Sequence, residues 1–379
     1  MNFKLTEEQR MIQEMTRNFA SEELLPDVVK RDVEKIWPRE QISKMAGLGL
    51  MGMMVENKWG GTGMDSISYS IAMEEIARVD ASAAVVMSVN NSLVCSIFQK
   101  YANNQQKKDY LTPLAKGEKL GCFSLSEPQS GSDASNMNVY AKQDGDEFII
   151  SGTKNWVTNG IKADIIMLFC LTEKGIGHKG ISCFIVDKNT KGVSAGKPEE
   201  KLGIRSSDTC ELYFDQVRIS KSNLVGGLGD GFKIALSTLD GGRIGIASQA
   251  LGIAQASLDY SISYSKERKQ FGKPISSNQG IQFKLADMAM EIEAARMLIH
   301  KAAWKKDNKI DFSASASMAK VYASEVAMRA STQCVQIHGG YGYMKETGVE
   351  RLMRDAKITQ IYEGTSEIQR VVIARDLLK

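Results

Sequence analysis

The feature that most constrains this chain is a double change of texture along it. Up to about residue 118 apolar residues recur at helical spacing. From Lys119 short β-type runs follow one another, separated by turn residues. After Gly226-Gly227-Leu228-Gly229-Asp230-Gly231 the helical period returns and holds to the end. No helical stretch of ten or more residues interrupts the middle part, which rules out an alternating strand–helix fold there. The 379 residues suffice for two or three domains. The pattern divides them into a helical domain over 1–118, a β domain over 119–228 and a helical bundle over 229–379.

Local signals fill in this outline. Thr6 and Gln9 form a capping-box pair, and Met11, Met15 and Phe19 recur on one predicted helix face. Pro38 suits a helix start before Ile42 and Met45, and Trp59-Gly60-Gly61-Thr62-Gly63 is a loop. Helices are predicted over 66–78, over 81–101 (small-residue-rich and buried all round) and over 105–115, stopping at Gly117. Strands are predicted over 121–125, 147–150, 165–171, 182–186 and 211–214, with Asp144-Gly145 as a hairpin turn. Further on, Ile281, Leu285, Met288, Ile292, Ala295 and Ile299 step by three or four along one helix. Other helices are predicted over 232–268, 312–337, 346–357 and 365–378.

Composition removes several function classes. The 48 basic and 45 acidic residues leave a net charge of +3, too balanced for a nucleic-acid or anionic-lipid footprint. The densest basic clusters, Lys266 to Lys269 and Lys305-Lys306, read as solvated helix faces. No uninterrupted apolar run approaches the roughly 18 residues of a membrane span. Cysteines at 95, 122, 170, 183, 210 and 334 show no C-x-x-C spacing, so free thiols in a reducing cytoplasm are expected. The opening Met1-Asn2-Phe3-Lys4-Leu5-Thr6-Glu7-Glu8 lacks an apolar leader core, and its acids oppose a transit peptide. His178, His300 and His338 are far apart, and no protein metal site is expected.

No P-loop occurs, and the Gly226–Gly231 run lacks Rossmann spacing, so a bound dinucleotide needs another mode. Four segments are polar or glycine-rich where a core would be apolar. Ser126-Glu127-Pro128-Gln129-Ser130-Gly131-Ser132-Asp133 follows a strand and can cradle an anion, though alone it reads as a Pro–Gly turn. In Asn155-Trp156-Val157-Thr158-Asn159-Gly160 the indole is either core or a wall for a flat ring. Gln336-Ile337-His338-Gly339-Gly340-Tyr341-Gly342-Tyr343 is either a helix C-cap or a close phosphate approach. In Gln360-Ile361-Tyr362-Glu363-Gly364-Thr365-Ser366-Glu367 a carboxylate sits on a short connector, where it alone reads as a surface acid.

Together these segments resemble the acyl-CoA dehydrogenase family, from about residue 3 to the C-terminus. The family's S/T-E-P-x-x-G-S/T-D motif stands at Ser126 to Asp133, and R-x-x-F-G at Arg268 to Gly272. Its Q-x-x-G-G-x-G motif stands at Gln336 to Gly342, and Y-E-G-T at Tyr362 to Thr365. The resemblance implies an N-terminal helical domain, a middle antiparallel β-barrel or sandwich and a C-terminal four-helix bundle. It implies FAD as cofactor, an acyl-CoA substrate oxidised to the trans-2-enoyl-CoA, and an electron-transfer flavoprotein as acceptor. A homotetramer, built as a dimer of dimers with FAD at a subunit interface, is implied as well.

By the same resemblance Glu363 is the base that removes the α-proton, with its pKa raised by burial. Its backbone N–H and a flavin ribityl hydroxyl are the implied donors to the thioester carbonyl. Some relatives carry the base just before the arginine of a D-x-x-R segment. That position is Gly242 in Asp240-Gly241-Gly242-Arg243, which leaves Glu363 as the candidate from either placement. Phe123, Leu125, Ser126, Trp156, Val157 and Thr158 are implied to line the flavin, with Ser126 replacing the threonine of many relatives. Arg268, Gln270, Phe271 and Gln279, with Gln336, Ile337, His338, Gly339 and Gly340, are implied to hold the diphosphate and adenosine. Ser132, Thr365, Ser366 and Glu367 also fall at cofactor positions. Ser132, Asp240, Arg243, Tyr362 and Gly364 fall at substrate positions.

The stretch from Asp240 to Ala254 looks most like short-chain, butyryl-CoA-type members, so a C4–C6 preference is expected. The rival readings are a branched-chain, aryl or medium-chain dehydrogenase, an oxidase passing electrons to O₂, and a non-catalytic flavin scaffold. A substrate profile with an artificial acceptor against O₂ separates them.

Overall fold

Sheet structure begins where the period changes. The computed structural model describes residues 4–379, so Met1-Asn2-Phe3 of the N-terminal reading lies outside the described residues. Before the change the chain forms α1 (Glu7–Phe19), α2 (Val28–Glu34), α3 (Arg39–Gly47), α4 (Ser66–Val79), α5 (Ala81–Ser88), α6 (Ser96–Tyr101), α7 (Asn104–Gln106) and α8 (Thr112–Ala115). The capping box forms as expected: Gln9 N donates to Thr6 Oγ1 (3.2 Å) and Thr6 N to Gln9 Oε1 (3.1 Å). The buried face of α1 differs from the expected one. It is Ile12, Thr16 and Phe19, with Met15 at its edge, while Met11 is 65% exposed. Met11 lies one residue, about 100°, round the helix from Ile12, outside the inward stripe.

A π-helical segment, Val89–Cys95, joins α5 to α6 in one apolar rod from Ala81 to Tyr101. This rod is long and apolar enough to cross a membrane by length and composition alone, but almost all of it is buried in the fold. Its polar groups are satisfied internally. Asn90 Nδ2 donates to the carbonyls of Met51 (2.9 Å) and Leu114 (3.1 Å). Its Oδ1 accepts from Gly121 N (3.1 Å), which anchors the first strand.

The middle strands are β1 (Gly121–Ser124), β2 (Tyr140–Asp144), β3 (Glu147–Thr158), β4 (Ile165–Leu171), β5 (Ile181–Asp187), β6 (Val193–Ala195), β7 (Thr209–Ser220) and β8 (Leu224–Val225). Their order is β6-β7-β3-β2-β4-β5-β8, with β1 paired to β4. A single bridge, Tyr140 to Leu171, connects the two halves, which face each other across one core. Phe148 meets Phe184 there, with ring centroids 4.9 Å apart. Most ladders are antiparallel, but β1 runs parallel to β4, so the sheet is mixed. The β2–β3 hairpin is the crossover that a parallel pair requires.

Strands β4 and β5 are buried on both faces. Ile166, Leu168, Phe184 and Val186 enter the middle core, while Ile165, Met167, Cys183 and Ile185 enter the core shared with the helices. That is why both read as unbroken apolar runs. Strands β3 and β7 extend well past the runs read from sequence, because their outer faces are polar and their ladder carries two register shifts.

The glycine-rich connector leads into α9 (Gly231–Glu267), followed by the small hairpin β9 (Lys269–Gln270) and β10 (Lys273–Pro274). Then come α10 (Gln279–Asp307), α11 (Ser313–His338), α12 (Val349–Ile358) and α13 (Ser366–Leu377). The three long helices pack on one another, and α12 and α13 pack on α11. The expected α10 stripe faces inward: Met288, Ile292, Ala295 and Ile299 are buried, with Ile281 and Leu285 at its edge. The α12–α13 connector therefore lies against α9 and α11, where Glu363 meets Gly242 and Gly364 meets Lys320.

Candidate active site

Glu363 and Gly364 sit on that connector in left-handed backbone conformations (φ 52° and 92°). A non-glycine residue in this region is strained, and such strain persists only where the surroundings enforce it. Here they do. Gln369 Nε2 donates to the carbonyls of Glu363 (3.1 Å) and Gly364 (2.9 Å). Lys320 Nζ donates to the Gly364 carbonyl as well (2.7 Å). Ser366 N reaches back to the Gln360 carbonyl (3.0 Å), and Thr365 caps α13 through Ile368 N (3.3 Å). Tyr362 OH donates to Gln249 Oε1, whose amide donates to the Ala81 carbonyl (2.7 Å).

Glu363 is half-buried, and one of its carboxylate oxygens points inward. Oε2 is buried and has no hydrogen-bond partner. Burial raises the carboxyl to about 7, with Lys320 and Arg243 opposing the rise. A buried, unpaired carboxylate with a pKa near neutrality is suited to accepting a proton. Its space exists because residue 242 is glycine: a Cβ there would stand 2.0 Å from Oε2. The two positions at which the resemblance allows a base thus converge on one point.

Arg243 lies next to this point, 5% exposed, donating through Nη1 to Asp240 Oδ1 (2.5 Å) and Ser317 Oγ (3.2 Å). Its buried Nε is unpartnered. Asp240 also accepts from Ser313 Oγ (2.8 Å).

Hydrogen bonds and packing gather the other sequence-derived residues into two further groups. In the first, Lys154 Nζ donates to the Leu125 carbonyl (2.7 Å) and Asn155 N to the Ser126 carbonyl (2.9 Å), tying the loop after β1 to the end of β3. Trp156 sits at the β3–β7 register shift with φ 59° and is 61% exposed. A bulge of this kind re-aims a side chain, and here it turns the indole out of the core. Val157 does the opposite: its side chain is in the middle core, so only its backbone can face a ligand. Leu125 is buried, while Phe123, Ser126 and Thr158 are half-buried and Ser132 is exposed.

The second group surrounds a cavity of about 590 Å³ lined by Arg268, Gln270, Ile337, His338, Gly339 and Gly340, together with Tyr264, Ile275, Tyr341 and Met344. The Arg268 guanidinium lies 5.7 Å from the Tyr341 ring centroid. His338 stacks on Tyr264, and its Nδ1 bonds the Cys334 carbonyl (2.8 Å), which leaves Nε2 as an acceptor. Gly339 ends α11 at φ 58°, and a Cβ on Gly339 or Gly340 would meet nothing within 4 Å. Gln279 opens α10, while Gln336 and Glu367 are exposed. Phe271, at φ 52°, is 99% exposed beside this cavity-lining hairpin.

The first group suits a flat ring and the second a diphosphate. Trp156 presents an aromatic wall, Ser124 has a buried Oγ without a partner, and a cationic side chain faces a bare glycine pair.

Glu127, inside a motif, is a scaffold: it pairs with fully buried Lys154 (2.8 Å) and accepts from Asn138 N (2.5 Å), Val139 N (3.1 Å) and Gln129 Nε2 (2.7 Å). These donors and the cation hold it below the usual carboxylate range, against burial, which pushes it up. Gln249, Gln369 and Lys320 lie outside every motif. For Lys320 a signal existed: it lies among Ala316, Ala319 and Ala323, the buried small residues of α11.

Comparison with known proteins agrees along the whole chain. Family models described as acyl-CoA dehydrogenase N-terminal, middle and C-terminal domains match residues 6–118, 122–217 and 229–378. A rat mitochondrial short-chain specific acyl-CoA dehydrogenase is 50% identical over 376 residues, covering 99% of this chain and 91% of the relative. Butyryl-CoA dehydrogenase from Megasphaera elsdenii superposes with a TM-score of 0.99 at 46% identity, covering 100% of both chains. A chain solved in a study of the electron transferring flavoprotein of Acidaminococcus fermentans and flavin-based electron bifurcation matches at TM-score 0.99 and 47% identity, again over 100% of both.

Proposed function

The chain belongs to the acyl-CoA dehydrogenase family and is an FAD-dependent oxidoreductase. On that premise we propose that it oxidises short-chain acyl-CoA thioesters, C4–C6 and butyryl-CoA-like, with Glu363 as the base. The observation that carries this reading is the buried, unpartnered Glu363 Oε2 in the space left by Gly242.

Glu363 takes the proton from Cα as the Cα=Cβ double bond forms. With its pKa raised by burial to about 7, the group is partly ionised near neutral pH, yet basic enough to hold that proton. FAD, when bound, supplies the acceptor for the hydride that leaves Cβ. The Glu363 N–H donates to the thioester carbonyl as enolate charge develops, and the clamps on the Glu363 and Gly364 carbonyls hold that amide in place. Tyr362 and Gly364 flank the acyl group, and Asp240 and Arg243 lie beside it. Ser132 belongs to the loop that meets both substrate and cofactor.

Phe123, Leu125, Ser126, Trp156, Thr158 and the Val157 backbone wall the flavin. Arg268, Gln270, Phe271, Gln279 and the segment from Gln336 to Gly340 hold the diphosphate and adenosine. Thr365, Ser366 and Glu367 touch the cofactor beside the base. Exposed Phe271 and Tyr343, near the cavity at residues 268 and 339, support a homotetramer with FAD at a subunit interface. An electron-transfer flavoprotein is the electron acceptor in this reading, supported by the Acidaminococcus match. The three domains divide at 118/119 and 228/229. Six buried, free cysteines suit a reducing cytoplasm.

The test is an anaerobic titration of the yellow protein with butyryl-, hexanoyl-, octanoyl- and isovaleryl-CoA. Bleaching of the flavin band within the mixing time by the C4 and C6 thioesters is expected, fading at C8. Turnover that climbs towards C8 and beyond, or bleaching by isovaleryl-CoA alone, would overturn the short-chain assignment.

A further inference from the structure

Lys320 lies on α11, is fully buried, and is the one charged group among the clamps on the Glu363–Gly364 turn. Its Nζ donates to the Gly364 carbonyl (2.7 Å), which also receives Gln369 Nε2 (2.9 Å). Ammonium groups are not buried at random, since desolvation disfavours the charge. A hydrogen bond to one carbonyl does not require a cation: Gln369 makes the same bond with a neutral amide. The charged groups that act on Lys320 are Glu363 on the connector, Arg243 on α9 and Glu367 on α13. The cation therefore stands behind the strained turn that carries the base, near a carboxylate with no partner of its own.

We propose that Lys320 is a positioning residue for the dehydrogenation, holding the Gly364 carbonyl so that the left-handed Glu363–Gly364 turn keeps the carboxylate aimed at the substrate's α-carbon. This rests on the reading of Glu363 as the base. The Lys320 charge acts on the same carboxylate through space, lowering its proton affinity against the rise that burial causes. Burial in turn pushes the Lys320 ammonium down to about 7, with Glu363 opposing. The lysine thus has two separable actions, a hydrogen bond on the turn and a field on the base.

Two substitutions separate them in the FAD-loaded enzyme. Lys320→Gln keeps an N–H donor and loses the charge, while Lys320→Met loses both. Both should move the acid limb of the kcat/KM profile for butyryl-CoA to higher pH, because a cation that favours the carboxylate is gone. In kcat, with KM largely kept, Lys320→Gln should fall by about 10-fold and Lys320→Met by roughly 100-fold, the range a small misplacement of a reacting group costs. An unmoved acid limb, or equal losses in the two variants, would overturn the proposal. Failure of both to fold with FAD would assign the lysine to stability and overturn it too. Wild-type protein whose flavin no acyl-CoA bleaches would instead remove the base reading itself. A bleaching wild type with unaffected Lys320 variants removes only this inference.

Discussion

Gly242→Ala tests the active-site geometry with the smallest possible perturbation. The added methyl would stand 2.0 Å from Glu363 Oε2 and 2.8 Å from Leu93 Cδ2. Ordinary contact begins near 3.4 Å, so the carboxylate oxygen must retreat by about 1.4 Å. Both obstructing atoms are ends of flexible side chains, and a new rotamer costs about 0.5–1.5 kcal/mol. Residue 242 lies inside a 37-residue helix, where alanine is favoured over glycine by about 1 kcal/mol. The two effects offset, and global stability should change by less than about 1 kcal/mol. Catalysis should not be spared. A displacement of the base by an ångström costs on the order of 100-fold, or about 2.7 kcal/mol of barrier.

The assay pairs thermal unfolding with the anaerobic rate of flavin bleaching by butyryl-CoA. The expected result is an unchanged melting temperature with bleaching about 100-fold slower. A stable Gly242→Ala protein that bleaches at the wild-type rate would refute the placement of the catalytic carboxylate. Serine should behave like alanine in rate, because the clash begins at Cβ.

Much of the fold was legible because periodicity reports burial. The α10 stripe and the apolar runs of β4 and β5 are visible in the spacing, and burial of both strand faces explains why those runs are unbroken. Where burial is not the signal, the pattern is weaker. Strands β2, β6 and β8 are short or polar, and the outer residues of β3 and β7 are exposed, so neither type stands out as an apolar run. Met11 shows the limit of a stripe read one residue off. In the site, motifs located the carboxylate, the indole and the glycine pair. They did not reveal that Trp156 leaves the core through a bulge while neighbouring Val157 enters it. That depends on the register with β7, a contact between residues far apart in sequence. Gln369 escaped for the same reason: a glutamine within a helix looks solvated until the connector it clamps is in place, and the only trace of Lys320 was its setting among alanines.

Glu363→Gln should retain FAD and bind acyl-CoA, seen as a spectral shift without bleaching, while turnover falls by about 10²–10⁴-fold. Near-normal turnover would exclude Glu363 as the base. Because burial raises that carboxyl to about 7 and the base works deprotonated, kcat/KM in the wild type should rise with pH through about 7 and level off above it. A limb near 4.5 would mean that the carboxylate is solvated in the working enzyme. Glu127→Gln tests whether the loop motif works through its scaffold. The substitution leaves the fully buried Lys154 charge uncompensated and points an amide at donors that now face a carboxylate. Breaking a buried pair in this way costs about 3–5 kcal/mol, which denaturant unfolding of the middle domain should register, with FAD lost in parallel. The double change Glu127→Gln with Lys154→Met removes both charges and keeps an acceptor for the Asn138 and Val139 amides, so it should recover part of that stability. Recovery of stability without recovery of FAD binding would show that the pair shapes the flavin loop as well as holding the domain together. Stability unchanged in Glu127→Gln would mean that the Lys154 charge is met by water or lost to neutralisation.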